Sequence, residues 1–98
     1  MDYLVRIFKS VANETRIRLL EVLLDSKEET LESLSHTLRL PYKTASRNLI
    51  ILEKAMLIRR RRWGGKIYYS VEKSLRLIYV RGILNLVKKR KLRKRRQV

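Results

Sequence analysis

LSHTLRLPYKTASRNLIILEKAMLIRRRRWGGKIYYSV, residues 34–71, carries three structural signals in chain order. The first is Pro41. The residue before a proline avoids helical geometry, so a short helix bearing Leu31, Leu34 and Leu38 must end ahead of it. Proline also suits the first position of a following helix. The second signal is the recurrence of Ala45, Leu49, Leu52 and Met56 at i, i+4, i+7 and i+11. That spacing predicts a helix over about 42–56 with one buried stripe. Its other face carries Tyr42, Lys43, Thr44, Ser46, Arg47, Ile50 and Lys54. The third signal is Gly64-Gly65 between two strand-like runs, Ile58–Trp63 and Lys66–Val71. Both turn positions of a tight hairpin can then take positive φ. The implied register pairs Trp63 with Lys66 and sets Arg61 beside Tyr68. Ile58, Ile67, Tyr69 and Val71 then point toward the core.

Upstream, Leu4, Ile7, Phe8 and Val11 fall at helical spacing, with Asp2 as a cap. Asn13 caps a second helix whose apolar face is Ile17, Leu20, Leu23 and Leu24, while Arg16 and Arg18 lie off that face. Residues 25–30 are polar and read as a connection, with Thr30 capping the third helix. Downstream, a last helix is predicted over about 73–91. Leu75, Ile78, Tyr79, Ile83, Leu86 and Val87 form one stripe, with Gly82 inside it; Leu77, Val80 and Leu84 form a second. A terminal helix apolar on two sides exceeds what its own small domain can cover, which argues for a helix from a second chain.

The 98 residues suggest one domain. Lys plus Arg number 25 against 9 Asp plus Glu, a net charge of +16, which favours polyanionic partners. Residues 88–98 contribute eight of those cations and no acid, leaving +8 for residues 1–87. The expected division is therefore a folded domain over 1–87 and a basic tail over 88–98, the tail read first as an unstructured phosphate-binding arm. A helix extension and a solubility device are the other readings. Cysteine is absent, so thiolate catalysis, disulfides and thiolate metal sites are excluded. No signal peptide is visible, and no window reaches the roughly 18 apolar residues of a membrane span. A cytoplasmic, nucleoid-associated protein is the expectation.

Helix, helix, helix, turn, helix, hairpin, helix is the order of a helix-turn-helix followed by a wing. The major groove admits one helix, which presents its N-terminal residues to base edges. Tyr42, Lys43, Thr44, Ser46 and Arg47 suit that position. Arg61, Trp63 and Lys66 are the candidate wing contacts. Each assignment has a plainer rival. The helix face can be merely solvated, Tyr42 can cover Leu38, and Arg61 can stack on Tyr68 while Lys66 covers Trp63. His36 is the sole histidine and makes no metal site alone.

The segment FKSVANETRIRLLEVLL (residues 8–24) together with residues 34–71 resembles the ArsR-type winged-helix transcriptional regulators. The resemblance spans about residues 4–71. It rests on Ala12 to Arg16, Ser46-Arg47 with Leu49, Leu52, and the Tyr68-Tyr69 strand. It implies a homodimer built from the first and last helices, binding palindromic operators as a repressor. Leu4, Phe8, Leu77, Val80 and Leu84 are the expected dimer contacts. Several positions depart from the family pattern. A Cys-Val-Cys metal motif has its equivalents at Thr30 and Glu32, and residues 74–87 hold no histidine or acid. Arg39 and Met56 stand where glycine is usual, and Asn48 where histidine is frequent. A left-handed Met56 is costly, so the fourth helix is expected to run one residue further.

The fold expected is mainly α with a small β-hairpin, a winged helix-turn-helix dimerising through its first and last helices. The function expected is a sequence-specific, double-stranded-DNA-binding transcriptional regulator. It acts as a repressor, needs no cofactor or metal, and has no membrane partner. The alternatives are an architectural or nucleoid DNA-binding protein with weak sequence preference, and an RNA-binding winged helix. Catalysis is not expected: no Ser/His/Asp set, apolar carboxylate pair or phosphate loop is present.

Overall fold

Three of the helices begin where a short polar side chain can satisfy their free N–H groups. Asp2 accepts the Leu4 N–H at 2.8 Å and opens α1 (Tyr3–Val11). Asn13 accepts the Arg16 N–H at 3.0 Å and opens α2 (Glu14–Asp25). Thr30 accepts the Ser33 N–H at 3.1 Å and opens α3 (Leu31–Leu38). α4 (Tyr42–Lys54) starts without a side-chain cap, behind Pro41. The wing strands are β2 (Ile58–Trp63) and β3 (Lys66–Val71), and α5 covers Ile78–Arg96. The structure is a computed structural model and describes residues 2–73 and 78–96, the side chains of 78–80 and 96 excepted. The expected positions of Leu75, Leu77, Ile78, Tyr79 and Val80 lie outside the described side chains.

The hairpin has the register read from Gly-Gly. Trp63 pairs with Lys66, and Arg61 with Tyr68. Gly64 and Gly65 take φ of 56° and 76°. A third strand was not expected. Residues 29–30, read as connection, form β1 (Glu29–Thr30), which pairs antiparallel with Tyr69 and Tyr68. The sheet order is β1-β3-β2, so β3 is central.

α2 lies at the centre of the core. Its Leu19, Leu20 and Leu23 are buried with Leu34 of α3 and with Ala45, Leu49 and Leu52 of α4. Ile58, Tyr69 and Val71 close the core from the sheet, and Ile83, Leu84 and Val87 from α5. Each fully buried Leu or Ile stabilises the fold by about 1.5–3 kcal/mol relative to exposure.

Three expectations are corrected. First, α4 does not run through Met56. It stops at Lys54, and Met56 takes φ of 60°. The Leu57 N–H donates to the Leu52 carbonyl at 3.1 Å, and the Met56 N–H to the Glu53 carbonyl at 2.9 Å. That is a Schellman ending. Arg39 ends α3 the same way, at φ 54°, with the Leu40 N–H on the Ser35 carbonyl at 2.9 Å. Strain of roughly 1–2 kcal/mol at each site is tolerated because the next residue is drawn inward: Leu57 is fully buried and Leu40 half-buried.

Second, Leu84 does not lie on an outward stripe. It is 7% exposed, packed into its own protomer, while Leu86, on the other stripe, is 61% exposed. Residues 83, 84 and 87 cluster on one side of a helix of 3.6 residues per turn, and that side meets α2. Third, the helix expected to end near 91 continues to Arg96, so residues 88–96 are helical and not an unstructured arm. Acids on α2 hold it there. Arg90 donates to Glu14 at 2.6 and 2.9 Å and to Glu21 at 3.4 Å. Lys91 pairs with Asp25, and Arg95 donates to Asp25 at 3.0 Å.

This strap has a pH signature. Hydrogen bonding from Arg90 lowers the Glu14 carboxyl from its ordinary 4.5 to about 2. A depressed carboxyl contributes stability above pH 4.5, lost as pH falls toward 2. Amide protection factors, the exchange rates corrected for the intrinsic pH dependence, are therefore expected to fall in the last turns of α5 between pH 4.5 and 2. High salt at neutral pH should lower protection partly, because Glu14, Asp25 and Arg95 are solvent-exposed while Glu21, Arg90 and Lys91 are largely covered. Unchanged protection down to pH 2 would show that the strap contributes nothing.

Candidate nucleic-acid interface

Pro41 and the buried stripe of α4 leave the opposite side of that helix to solvent. Tyr42 is 55% exposed, and Lys43 and Arg47 are exposed one turn apart. Thr44 and Ser46 are half-buried. Tyr42, Lys43, Ser46, Arg47, Ile50 and Ile51 line one shallow groove. Of the five α4 candidates, four therefore share a concavity, and Thr44 stands outside it. The described residues offer neither Lys43 nor Arg47 an acid within ion-pair distance.

At the wing, Trp63 is 66% exposed beside exposed Lys66. Arg61 has a different environment. Both its Nε and its terminal nitrogen donate to Glu28, the latter at 2.6 Å. Its guanidinium also lies 5.1 Å from the centroid of the Tyr68 ring. The stacking alternative weighed for Arg61 is thus present, with a carboxylate added. The hydrogen bond from Arg61 holds the Glu28 carboxyl below its usual range, and the same bond raises the proton affinity of Arg61. Glu28 was invisible beforehand because only the β1–β3 pairing carries it to the wing.

Two further positioning groups were missed. Arg16, read only as lying off the α2 face, donates to the Ser10 carbonyl at 2.5 Å and the Lys9 carbonyl at 3.3 Å. It also donates to Asn48 Oδ1 at 2.9 Å. Asn48 in turn donates to the Thr44 carbonyl at 2.9 Å. Arg16 therefore satisfies the free carbonyls at the end of α1 and pins the middle of α4. At the other end of the same pair of helices, Tyr3 Oη donates to the Ala55 carbonyl at 3.2 Å.

His36 is exposed on α3. Among the described residues no three histidines or acids gather as a metal site. No described helix is long and apolar enough to cross a membrane.

No protein-family model and no curated protein matches the chain. Solved structures do. HlyU from Vibrio cholerae is 26% identical, with a TM-score of 0.75, covering 89% of this chain and 89% of its own. The transcriptional repressor PagR of Bacillus anthracis is 26% identical, with a TM-score of 0.70, covering 85% and 90%. A homodimeric winged helix-turn-helix DNA-binding domain from Mycobacterium bovis, described as a possible ArsR-family regulator, has a TM-score of 0.76 at 24% identity, covering 98% and 82%.

Helix-turn-helix, wing and these neighbours define a winged helix-turn-helix protein, a class without enzymatic activity. Among these neighbours PagR is a transcriptional repressor and the Mycobacterium bovis domain is described as a possible ArsR-family regulator; the chain is similar to both in fold.

Proposed function

We propose that this chain is a homodimeric, sequence-specific repressor that reads double-stranded DNA with α4 in the major groove and the wing beside it. The observation that carries this reading is the exposed N-terminal half of α4, where Lys43 and Arg47 are free of acids among the described residues. Arginine and lysine are the side chains best suited to guanine edges. Tyr42, Thr44 and Ser46 are the remaining reading residues, and Arg61, Trp63 and Lys66 the wing contacts. Arg61 must exchange Glu28 for a phosphate to take part.

Dimerisation is supported by an apolar patch across α1 and α5. Leu4, Val5, Phe8 and Leu86 are all exposed large hydrophobics, Phe8 at 53%. Phe8, Val11, Ile17, Ile83, Leu86 and Val87 line one apolar groove there. A dimer addresses two half-sites about 34–36 Å apart. The cytoplasm, on the nucleoid, is the site of action that follows.

Selection of genomic fragments by the purified protein tests the reading. A two-fold symmetric motif is the expected result. Tight binding without a motif would replace it with an architectural role, and preference for single-stranded RNA would overturn both.

A further inference from the structure

α1 has two exposed flanks of opposite character. Leu4, Val5 and Phe8 form the apolar one, beside α5. Arg6 and Lys9 form the other, and they face α4. There, Arg6, Lys9, Ser10 and Arg16 meet Ile51 and Lys54 across a cleft. The cleft is braced at both ends, by Tyr3 on the Ala55 carbonyl and by Arg16 on Asn48. Four cations line it and no carboxylate does. Among the described residues, Arg6, Lys9 and Lys54 have no acid within ion-pair distance.

That absence reflects how the acids are placed. Glu14, Glu21 and Asp25 are engaged by α5, Glu28 by Arg61 and Glu53 by Arg60. Like charges held together without compensation cost stability, which a bound polyanion relieves.

The cleft also continues the reading helix. Lys43, Arg47 and Lys54 lie at i, i+4 and i+11 along one side of α4. Ile51 borders both this cleft and the groove around Lys43 and Arg47. Thirteen helical residues span about 20 Å, longer than the roughly 12 Å width of the major groove. With the N-terminal half of α4 inside the groove, the Lys54 end passes beyond its edge, where the phosphate rail runs.

We propose that the α1–α4 cleft, through Arg6, Lys9 and Lys54, seats backbone phosphates of the duplex outside the groove that α4 reads. The inference rests on the duplex-reading role above. It makes α1 bifunctional: its apolar flank joins the second copy, and its cationic flank holds DNA. Phosphate contacts fix orientation and register and carry no base information.

The test uses the full chain and a mixed-sequence duplex of about 30 bp, long enough for two half-sites. Affinity is followed by fluorescence anisotropy across salt concentrations. R6A/K9A is expected to flatten the slope of log affinity against log salt by about 1.8 per protomer, about 3.6 for a dimer on both half-sites, and to weaken binding about tenfold or more near physiological salt. R18A/K89A removes equal charge from the exposed surfaces of α2 and α5 and serves as the control. It should leave the slope nearly unchanged. An equal effect of both pairs would overturn the cleft, because net charge alone would then explain the loss. So would an unchanged slope in R6A/K9A while K43A/R47A abolishes binding. If the wild-type chain binds no duplex, or K43A/R47A binds a selected site like wild type, the reading-helix role itself fails.

Discussion

Arg47→Ala is expected to weaken binding to a selected site by about 1–3 kcal/mol, and binding to mixed-sequence duplex by less. Arg47 projects from the N-terminal half of α4, one turn after Lys43, with its side chain in solvent. No described acid pairs with it. Its removal should therefore cost the fold little; surface changes of this kind stay within about 0.5 kcal/mol. Arg47→Lys is expected to recover salt-dependent attraction but not discrimination, since an ammonium lacks the planar bidentate fork. Anisotropy titrations against the selected and mixed duplexes measure both. An equal loss on every sequence would assign Arg47 to the phosphate backbone.

Leu49→Ala acts through the opposite side of the same helix. Leu49 is fully buried in the cluster that joins α4 to α2 and α3. Truncation removes transfer energy and leaves a cavity, about 2–5 kcal/mol, from a domain whose whole stability is about 5–15 kcal/mol. Urea unfolding should show a lower midpoint at an unchanged slope. DNA affinity should fall on all sequences alike, as the folded fraction drops. A loss under about 1 kcal/mol would mean that α4 is not seated on its leucine stripe.

Sequence alone was most informative where structure depends on near neighbours. The α4 stripe needs only the spacing of Ala45, Leu49 and Leu52. The hairpin register needs only two glycines between alternating strands, and Trp63 opposite Lys66 follows. Features made by distant pairing were hidden. β1 is two residues long and exists because Tyr68 and Tyr69 accept it as a neighbour. Without β1, the pairing of Glu28 with Arg61 has no sequence signal. The end of α5 was hidden for the same reason: a run of cations has no apolar period, and its helix leans on acids about seventy residues earlier. Leu84 was misassigned because a helix apolar on two sides does not say which side is inward. Met56 was misjudged because backbone preference was weighed without knowing that Leu57 is buried.

The engagement of α2's acids by α5 shapes how the molecule travels before it docks. Even with Glu14, Glu21 and Asp25 engaged there, the eight cations of residues 88–96 leave that end net positive, so a polyanion is attracted to it from a distance. Association with a polyanion is then expected to run faster in dilute salt than in concentrated salt. The search for a target is biased in free solution, by charges that never reach a base.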